Sequence, residues 1–398
     1  MEFTIHNQVL GLVFLIAVVM GAVANKTNFC TMGAVSDWVN MGDTGRLRAW
    51  LLAIAVAMLG VLLLEGSGTL TLPSDTFPPY RTATFAWLRY ALGGVMFGIG
   101  MTLGSGCGNK TFVRLGGGNL KSLVVLAIAS VAAYYMLWGD IKGAGFFDVV
   151  FNSWIAPTNI DLGAHGIASQ ELGAIVAGLT GADAASLHYV IGGIFVLGLL
   201  FFVFKSADFR TSFDNILGGL VIGLAVIAGW YITGGTMGAA WKDYAEMATD
   251  IPSRVNVQSY TFISPMGDSV RYLLNPTNLS LVNFGIMAVC GVIVGSLLYS
   301  LIARKFRVEW FASSKDFVAH AFGAVLMGVG GVLSMGCTIG QGITGVSTLA
   351  LGSILTFASI VFGSALTMKV QYYLMDEQGF FGALRSSLAD LRLMPRKA

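Results

Sequence analysis

Three of the four cysteines close the same kind of segment. LIAVVMGAVANKTNFC ends at Cys30, LGGVMFGIGMTLGSGC at Cys107 and FGAVLMGVGGVLSMGC at Cys337. Each apolar run is studded with glycine and then breaks into TMGAVSDWVN, GNKTFVRLGGGN or TIGQGITGVS. A thiol S–H is a weak donor and its sulfur a weak acceptor. With an unperturbed pKa near 8.5, it stays mostly protonated at neutral pH. Three neutral, polarizable thiols suit a polarizable acceptor, which points to sulfur or selenium in whatever they contact. An anion of oxygen alone would be served better by serine, arginine or backbone N–H. Cys290, inside FGIMAVCGVIVGS and outside the pattern, reads as a small packing residue.

The residues around these cysteines sort in the same way. Lys110, three after Cys107, either helps to hold an anion or marks a cytoplasmic interface; Lys26, four before Cys30, reads as a marker only. Asp37 reads as a helix cap or ion-pair partner. Gly106 and Gly336 let neighbouring backbones approach, as small residues do in membrane helices. Gly108 and Gln341, just past two of the cysteines, complete the candidate pathway. There is no CxxC pair, and His6, His165, His188 and His320 are scattered, so no metal site and no cofactor is expected.

Elements that could position such residues follow from composition. Of the 398 residues, 55% are hydrophobic and 11% charged, with a mean hydropathy of +0.75. Soluble domains carry about a quarter charged residues, so the chain reads as a polytopic membrane protein in a lipid bilayer. The net charge of +2 and the lack of a basic run give no reason to expect nucleic acid. Runs of roughly 17–22 apolar residues can cross a hydrocarbon core of about 30 Å. They fall at 8–24, 48–65, 86–106, 121–138, 187–204, 214–232, 282–302, 317–336 and 349–369. The first lacks a basic flank and a small-residue cleavage site, so a retained helix is expected rather than a signal peptide. Glu65 and Lys369 sit at span ends with water in reach. The long linkers 139–186 and 233–281 hold apolar patches, FFDVVFNSWI and ELGAIVAGL, that read as surface or partly inserted helices.

With the N-terminus outside, 17 Lys and Arg fall on the inward side, Arg396 and Lys397 among them, against 6 outside. That bias predicts a periplasmic N-terminus and a cytoplasmic C-terminus. The runs ending at Cys107 and Cys337 align without a gap, Gly93 with Gly323 and Gly100 with Gly330. A fourth copy, LGGLVIGLAVIAGWYI, places Ile232 in the cysteine slot. Cys107 ends an inward span and Cys337 an outward one, so two inverted halves are expected, about 1–185 and 186–375, with a cytoplasmic tail at 376–398. Inverted repeats place a transport site near mid-depth at their interface, built from interrupted helices. Non-helical backbone at that depth must be buried in protein or line a cavity. Short re-entrant helices after each cysteine meet that condition. The fold class is therefore all-α and polytopic: about nine transmembrane helices, short re-entrant helices and a pseudo-twofold inverted repeat.

NFCTMGAVSD, GSGCGNKTFVRLGGG and SMGCTIGQGITG resemble the cysteine motifs of the YeeE/YedE family, thiosulfate transporters. The similarity runs over nearly the whole chain and includes RKFRVEW before the penultimate span. The resemblance implies an hourglass-shaped inner-membrane protein that passes thiosulfate inward by S–H hydrogen bonding along Cys30, Cys107 and Cys337. It also places Arg114, Gly116 and Gly118 on family motif positions and implies a cytoplasmic rhodanese or TusA-like sulfur carrier as partner. Lys110 departs from the family, which often has glycine there. An added cation would strengthen anion capture, or favour a Cys107 thiolate that relays sulfur. The expected function is thus uptake of a small sulfur anion, thiosulfate first, by a transporter rather than an enzyme. The alternatives are another sulfur or selenium species, a membrane sulfurtransferase with Cys107 as persulfide carrier, and a passive pore for a neutral solute.

Overall fold

The computed structural model describes residues 4–394, so Arg396 and Lys397 lie outside the described residues. Among those residues, nine helices are long and apolar enough to cross a membrane, one for each run read from the sequence. The order begins with α1 (Ile5–Lys26), α2 (Thr31–Ser36), α3 (Gly45–Gly66), α4 (Trp87–Leu103), α5 (Gly108–Gly116) and α6 (Leu120–Trp138). A peripheral stretch with α7 (Ser153–Ile155) and α8 (Leu172–Thr180) leads into α9 (Ala184–Phe204), α10 (Ala207–Thr211) and α11 (Phe213–Gly234). Then come α12 (Thr236–Met247), α13 (Ile263–Leu274), α14 (Phe284–Ile302) and α15 (Ser314–Leu333). A short π-helical segment, Gly340–Gly345, precedes α16 (Leu351–Met375) and α17 (Phe380–Asp390). The only strands among the described residues are two-residue pairs in the connections, Thr84–Phe85 with Ile160–Asp161 and Asp140–Ile141 with Ala144–Gly145.

Polar caps start the helices. Thr4, Asn119, Asp183, Asn283 and Ser313 each accept a hydrogen bond from an amide of the first turn that follows. Such caps satisfy donors that have no partner inside the helix. Glycine then sets how closely the helices pack. The ideal Cβ of an alanine at Gly93 would lie 2.8 Å from the Gly330 carbonyl, and one at Gly330 equally 2.8 Å from the Gly93 carbonyl. Gly100 and Gly323 face each other likewise, at 2.6 and 2.7 Å. The two aligned runs therefore pack antiparallel, α4 on α15, glycine against glycine. The contacts are crosswise: the residue equivalent to Gly93 touches the residue equivalent to Gly100. A twofold axis between two helices produces such an exchange. α1 meets α14 through Gly21, Gly291 and Gly295, and α3 meets α11 through Gly219 and Gly223.

Three expectations need correction. Ile232 does not sit at a helix break; α11 runs on to Gly234 and α12 begins at Thr236. The interrupted element of that quarter lies later in the chain, where residues 257–268 are all buried around the start of α13. Glu65 is not turned to water. It is paired with Arg81 at 2.6 Å and with His188 at 3.1 Å. Lys369 lies 3.7 Å from Asp390 of α17. Cys290, read as a packing residue, is instead exposed on the surface of α14. Of the two apolar patches, ELGAIVAGL forms α8, capped by the Glu171 carboxylate, and FFDVVFNSWI forms a short helical run ending in α7.

Candidate functional site

The three cysteine breaks share one backbone design. α1, α4 and α15 each end in a left-handed residue that is not glycine: Asn28 (φ 52°), Ser105 (φ 58°) and Met335 (φ 61°). The next amide reaches back five residues, Phe29 to Ala24, Gly106 to Met101 and Gly336 to Gly331. The left-handed residue itself bonds three back, to Asn25, Thr102 and Val332. This is the Schellman pattern of hydrogen bonds, which satisfies the last carbonyls of a helix. The cysteine follows two residues after each left-handed position and stands at the N-cap of the short helix beyond it. The Cys30 sulfur accepts from the Gly33 amide at 3.5 Å and the Cys337 sulfur from the Gly340 amide at 3.4 Å. The Lys110 amide approaches the Cys107 sulfur from the corresponding place.

These caps bring the thiols together. Cys30, Cys107 and Cys337 are free and buried. Cys107 neighbours the Cys30 thiol and also lies close to the Thr338 hydroxyl, beside Cys337, which comes near without completing a hydrogen bond. Cys337 also takes the Phe262 amide from the start of α13. That fourth break went unread in the sequence because it has no cysteine. Its signal was the small and proline residues of SYTFISPMG, within an otherwise polar linker. Its packing is tight. Ile263 lies against Gly331, Met266 against Gly108, and the Phe262 ring is 5.9 Å from that of Phe112.

The other expected residues fall around the same centre. Gly106 packs under the Lys110 stem, Gly336 under Gln341 and Gly108 against Met266. Lys110 is 8% exposed and donates to the Asn28 side-chain oxygen, so its ammonium bridges the Cys30 and Cys107 breaks. Arg114 donates to the Ser105 carbonyl, tying α5 back to the turn before Cys107. Gln341 donates to the Ser334 carbonyl at 2.8 Å, while its own side-chain oxygen lacks a donor. Lys26 turns away to Asp214 at 2.9 Å. Asp37 is buried and held by the Arg46 guanidinium through two nitrogens, which anchors the helix that follows Cys30 to α3. Among the described residues no group of His, Cys, Asp or Glu is arranged to hold a metal ion.

A second polar cluster, also unread in the sequence, braces the Cys337 hairpin from behind. His188 presents its two ring nitrogens to Glu171 and Glu65, each at 3.1 Å. Arg81 pairs with Glu65 and donates to the Thr348 carbonyl at 3.0 Å, and the Leu172 amide donates to Leu349. Burial pushes the Glu171 carboxyl up, but hydrogen bonds from His188 and the Gly173 and Ala174 amides outweigh it. They leave the group below the usual carboxylate range.

What the arrangement can do follows from its polarity. At three breaks it offers S–H donors and helix-start amides, with one buried ammonium and one guanidinium behind them. Amides at helix starts favour an anion. In the described conformation the thiols are closed off, so a passing solute requires the short helices to part.

Residues 26–366 match the profile of a family described as sulphur transport. The chain is 25% identical over 333 residues to the thiosulfate transporter TsuA of Escherichia coli (strain K12), covering 81% of this chain and 84% of that one. It is 23% identical over 356 residues to the thiosulfate transporter TsuA of Spirochaeta thermophila, covering 88% and 95%. The apolar helices, the paired cysteine breaks and the span of the match agree: this chain is a multi-pass membrane protein and belongs to the sulphur transport family.

Proposed function

We propose that the protein imports thiosulfate across the bacterial inner membrane, handing it along Cys337, Cys107 and Cys30 by S–H hydrogen bonds. The observation that carries this reading is the position of Cys107, a neighbour both of the Cys30 thiol and of Thr338, the residue beside Cys337. Chain direction separates Cys337 from the other two, since α15 runs antiparallel to both α1 and α4. With the N-terminus periplasmic, Cys337 stands nearest the outside, and Cys107, neighbour to both, comes before Cys30. The crosswise glycine contacts of α4 and α15 support two inverted halves meeting at this line. Lys110 offsets anionic charge at the inner step. The neighbours of the Cys107 sulfur, the Cys30 thiol, the nearby Thr338 hydroxyl and the Lys110 amide, include no base, which favours hydrogen bonding over covalent sulfur transfer.

Importing a dianion against an inside-negative potential costs about 4.6 kcal/mol per 100 mV, twice the single-charge value. Rapid consumption by a cytoplasmic rhodanese or TusA-like carrier would offset it. The test is uptake of radiolabelled thiosulfate by proteoliposomes. Removing the central donor to a charged acceptor in Cys107→Ala should cut uptake about tenfold or more. Equal uptake by Cys107→Ala and the wild type refutes the relay.

A further inference from the structure

Among the described residues, few buried side-chain atoms lack a hydrogen-bond partner, and they are not spread evenly. The hydroxyls of Thr31, Thr261 and Thr338 are three of them. Thr31 directly follows Cys30, Thr338 directly follows Cys337, and Thr261 directly precedes Phe262 at the cysteine-free break. All three residues are nearly inaccessible, at 2%, 4% and 0% for Thr31, Thr261 and Thr338. Thr261 is pressed on the backbone of Gly340, where any side chain would collide with its hydroxyl. Elsewhere the spans satisfy their hydroxyls: Thr102, Thr233, Thr356 and Thr367 each donate to the carbonyl four residues back.

A buried hydroxyl without a partner carries a desolvation penalty that a valine of the same shape would avoid. Three such hydroxyls, placed only at the breaks that meet around the thiols, are therefore groups waiting for an acceptor. Thiosulfate has two chemically different ends, one polarizable sulfur and three hard oxygens. A hydroxyl is the better donor to oxygen and a thiol the softer donor to sulfur. The unpartnered oxygens of Asn109 and Gln341 are acceptors and do not compete for an anion.

We infer that Thr31, Thr338 and Thr261 form a second line of donors that reads the sulfonate oxygens while the cysteines read the terminal sulfur. This deepens the transport reading above and rests on it. The substrate class is thereby narrowed to tetrahedral sulfur oxyanions that carry a terminal sulfur. The Cys-Thr dipeptides at 30–31 and 337–338 are the units that recognise both ends at once.

The experiment compares Thr338→Val, Thr31→Val and Thr338→Ser in the full-length protein. It measures thiosulfate KM in proteoliposomes and the melting temperature of the substrate-free protein. Loss of one hydroxyl donor to an anion should raise KM for thiosulfate about tenfold in each valine variant, with Thr338→Ser within about threefold of wild type. The substrate-free valine variants should melt at or above the wild-type temperature, because each loses an unsatisfied group. The inference is overturned if both valine variants keep the wild-type KM. It is also overturned if both melt lower, since a structural role predicts that fall. Cys107→Ala, run in parallel, separates the two readings. Wild-type uptake there refutes the thiol relay, whereas impaired uptake there beside wild-type valine variants refutes only the hydroxyl line.

Discussion

Replacing Gly330 by alanine tests the contact on which the whole site hangs. Its ideal Cβ would stand 2.7 Å from the Phe97 amide nitrogen, 2.8 Å from the Gly93 carbonyl and 2.9 Å from the Met96 Cβ. Two of the three neighbours are backbone, so no side chain can swing aside. Restoring ordinary contact means parting α4 from α15 by about 0.7 Å, an overpacking that costs about 1–3 kcal/mol. Gly93→Ala meets the Ser334 amide nitrogen at 2.5 Å and the Gly330 carbonyl at 2.8 Å from the other side and forces a separation in the same direction. Each single variant should therefore melt about 1–6 °C below wild type, given the small shift per kcal/mol in a chain of this length. The double variant should melt well above the sum of the two losses, because one movement relieves both collisions. Gly193→Ala is the control: it has open space around its Cβ on α9 and should melt at or above wild type. The assay is thermal unfolding in detergent followed by tryptophan fluorescence. Wild-type melting in both single variants, or strict additivity in the double, refutes the reasoning.

Other outcomes follow from the same geometry. Lys110→Met removes the buried ammonium between the Cys30 and Cys107 breaks and should raise thiosulfate KM about tenfold, the weight of one charge-assisted contact; unchanged KM would assign Lys110 to structure alone. Asp37→Asn leaves Arg46 facing a neutral partner beside Cys30 and should lower stability by about 3 kcal/mol, whereas Asp37→Leu with Arg46→Met should recover much of it in the same melting assay. Glu171 has a folded-state pKa below its unfolded value. Its contribution is therefore fully present above the unfolded pKa and is lost as the pH falls through the folded one. Melting temperature measured across the acid limb should fall less steeply in Glu171→Gln than in wild type, and parallel curves would contradict that assignment.

How much of this was legible in the sequence depends on the range of each interaction. All nine spans were readable, because hydropathy over about twenty residues is a local property and the bilayer thickness fixes their length. The three cysteine breaks were readable because glycine and cysteine recur at fixed intervals. The fourth break was not. Thr261–Asp268 has no thiol, mixes serine and proline with apolar residues, and becomes interior only through contacts with α5, α6, α14, α15 and the Gly340 turn. Aligning by glycine spacing alone put Ile232 in its place. The Glu65, Arg81, Glu171 and His188 cluster was equally hidden, since its members are drawn from four separate segments. Lys110 stood out as a cation near a thiol, but its Asn28 partner lies across a different break.

The turn shared by Asn28, Ser105 and Met335 has a bearing on how such a chain could be remade. An amide, a hydroxyl and a thioether occupy the same left-handed corner with the same hydrogen bonds around it. What the three breaks share is thus a path of the backbone, and the side chain at the corner differs in each. Two residues later the corner delivers whatever group the sequence supplies. An engineer could exchange Cys337 for another donor and keep the scaffold, so long as the corner stays intact.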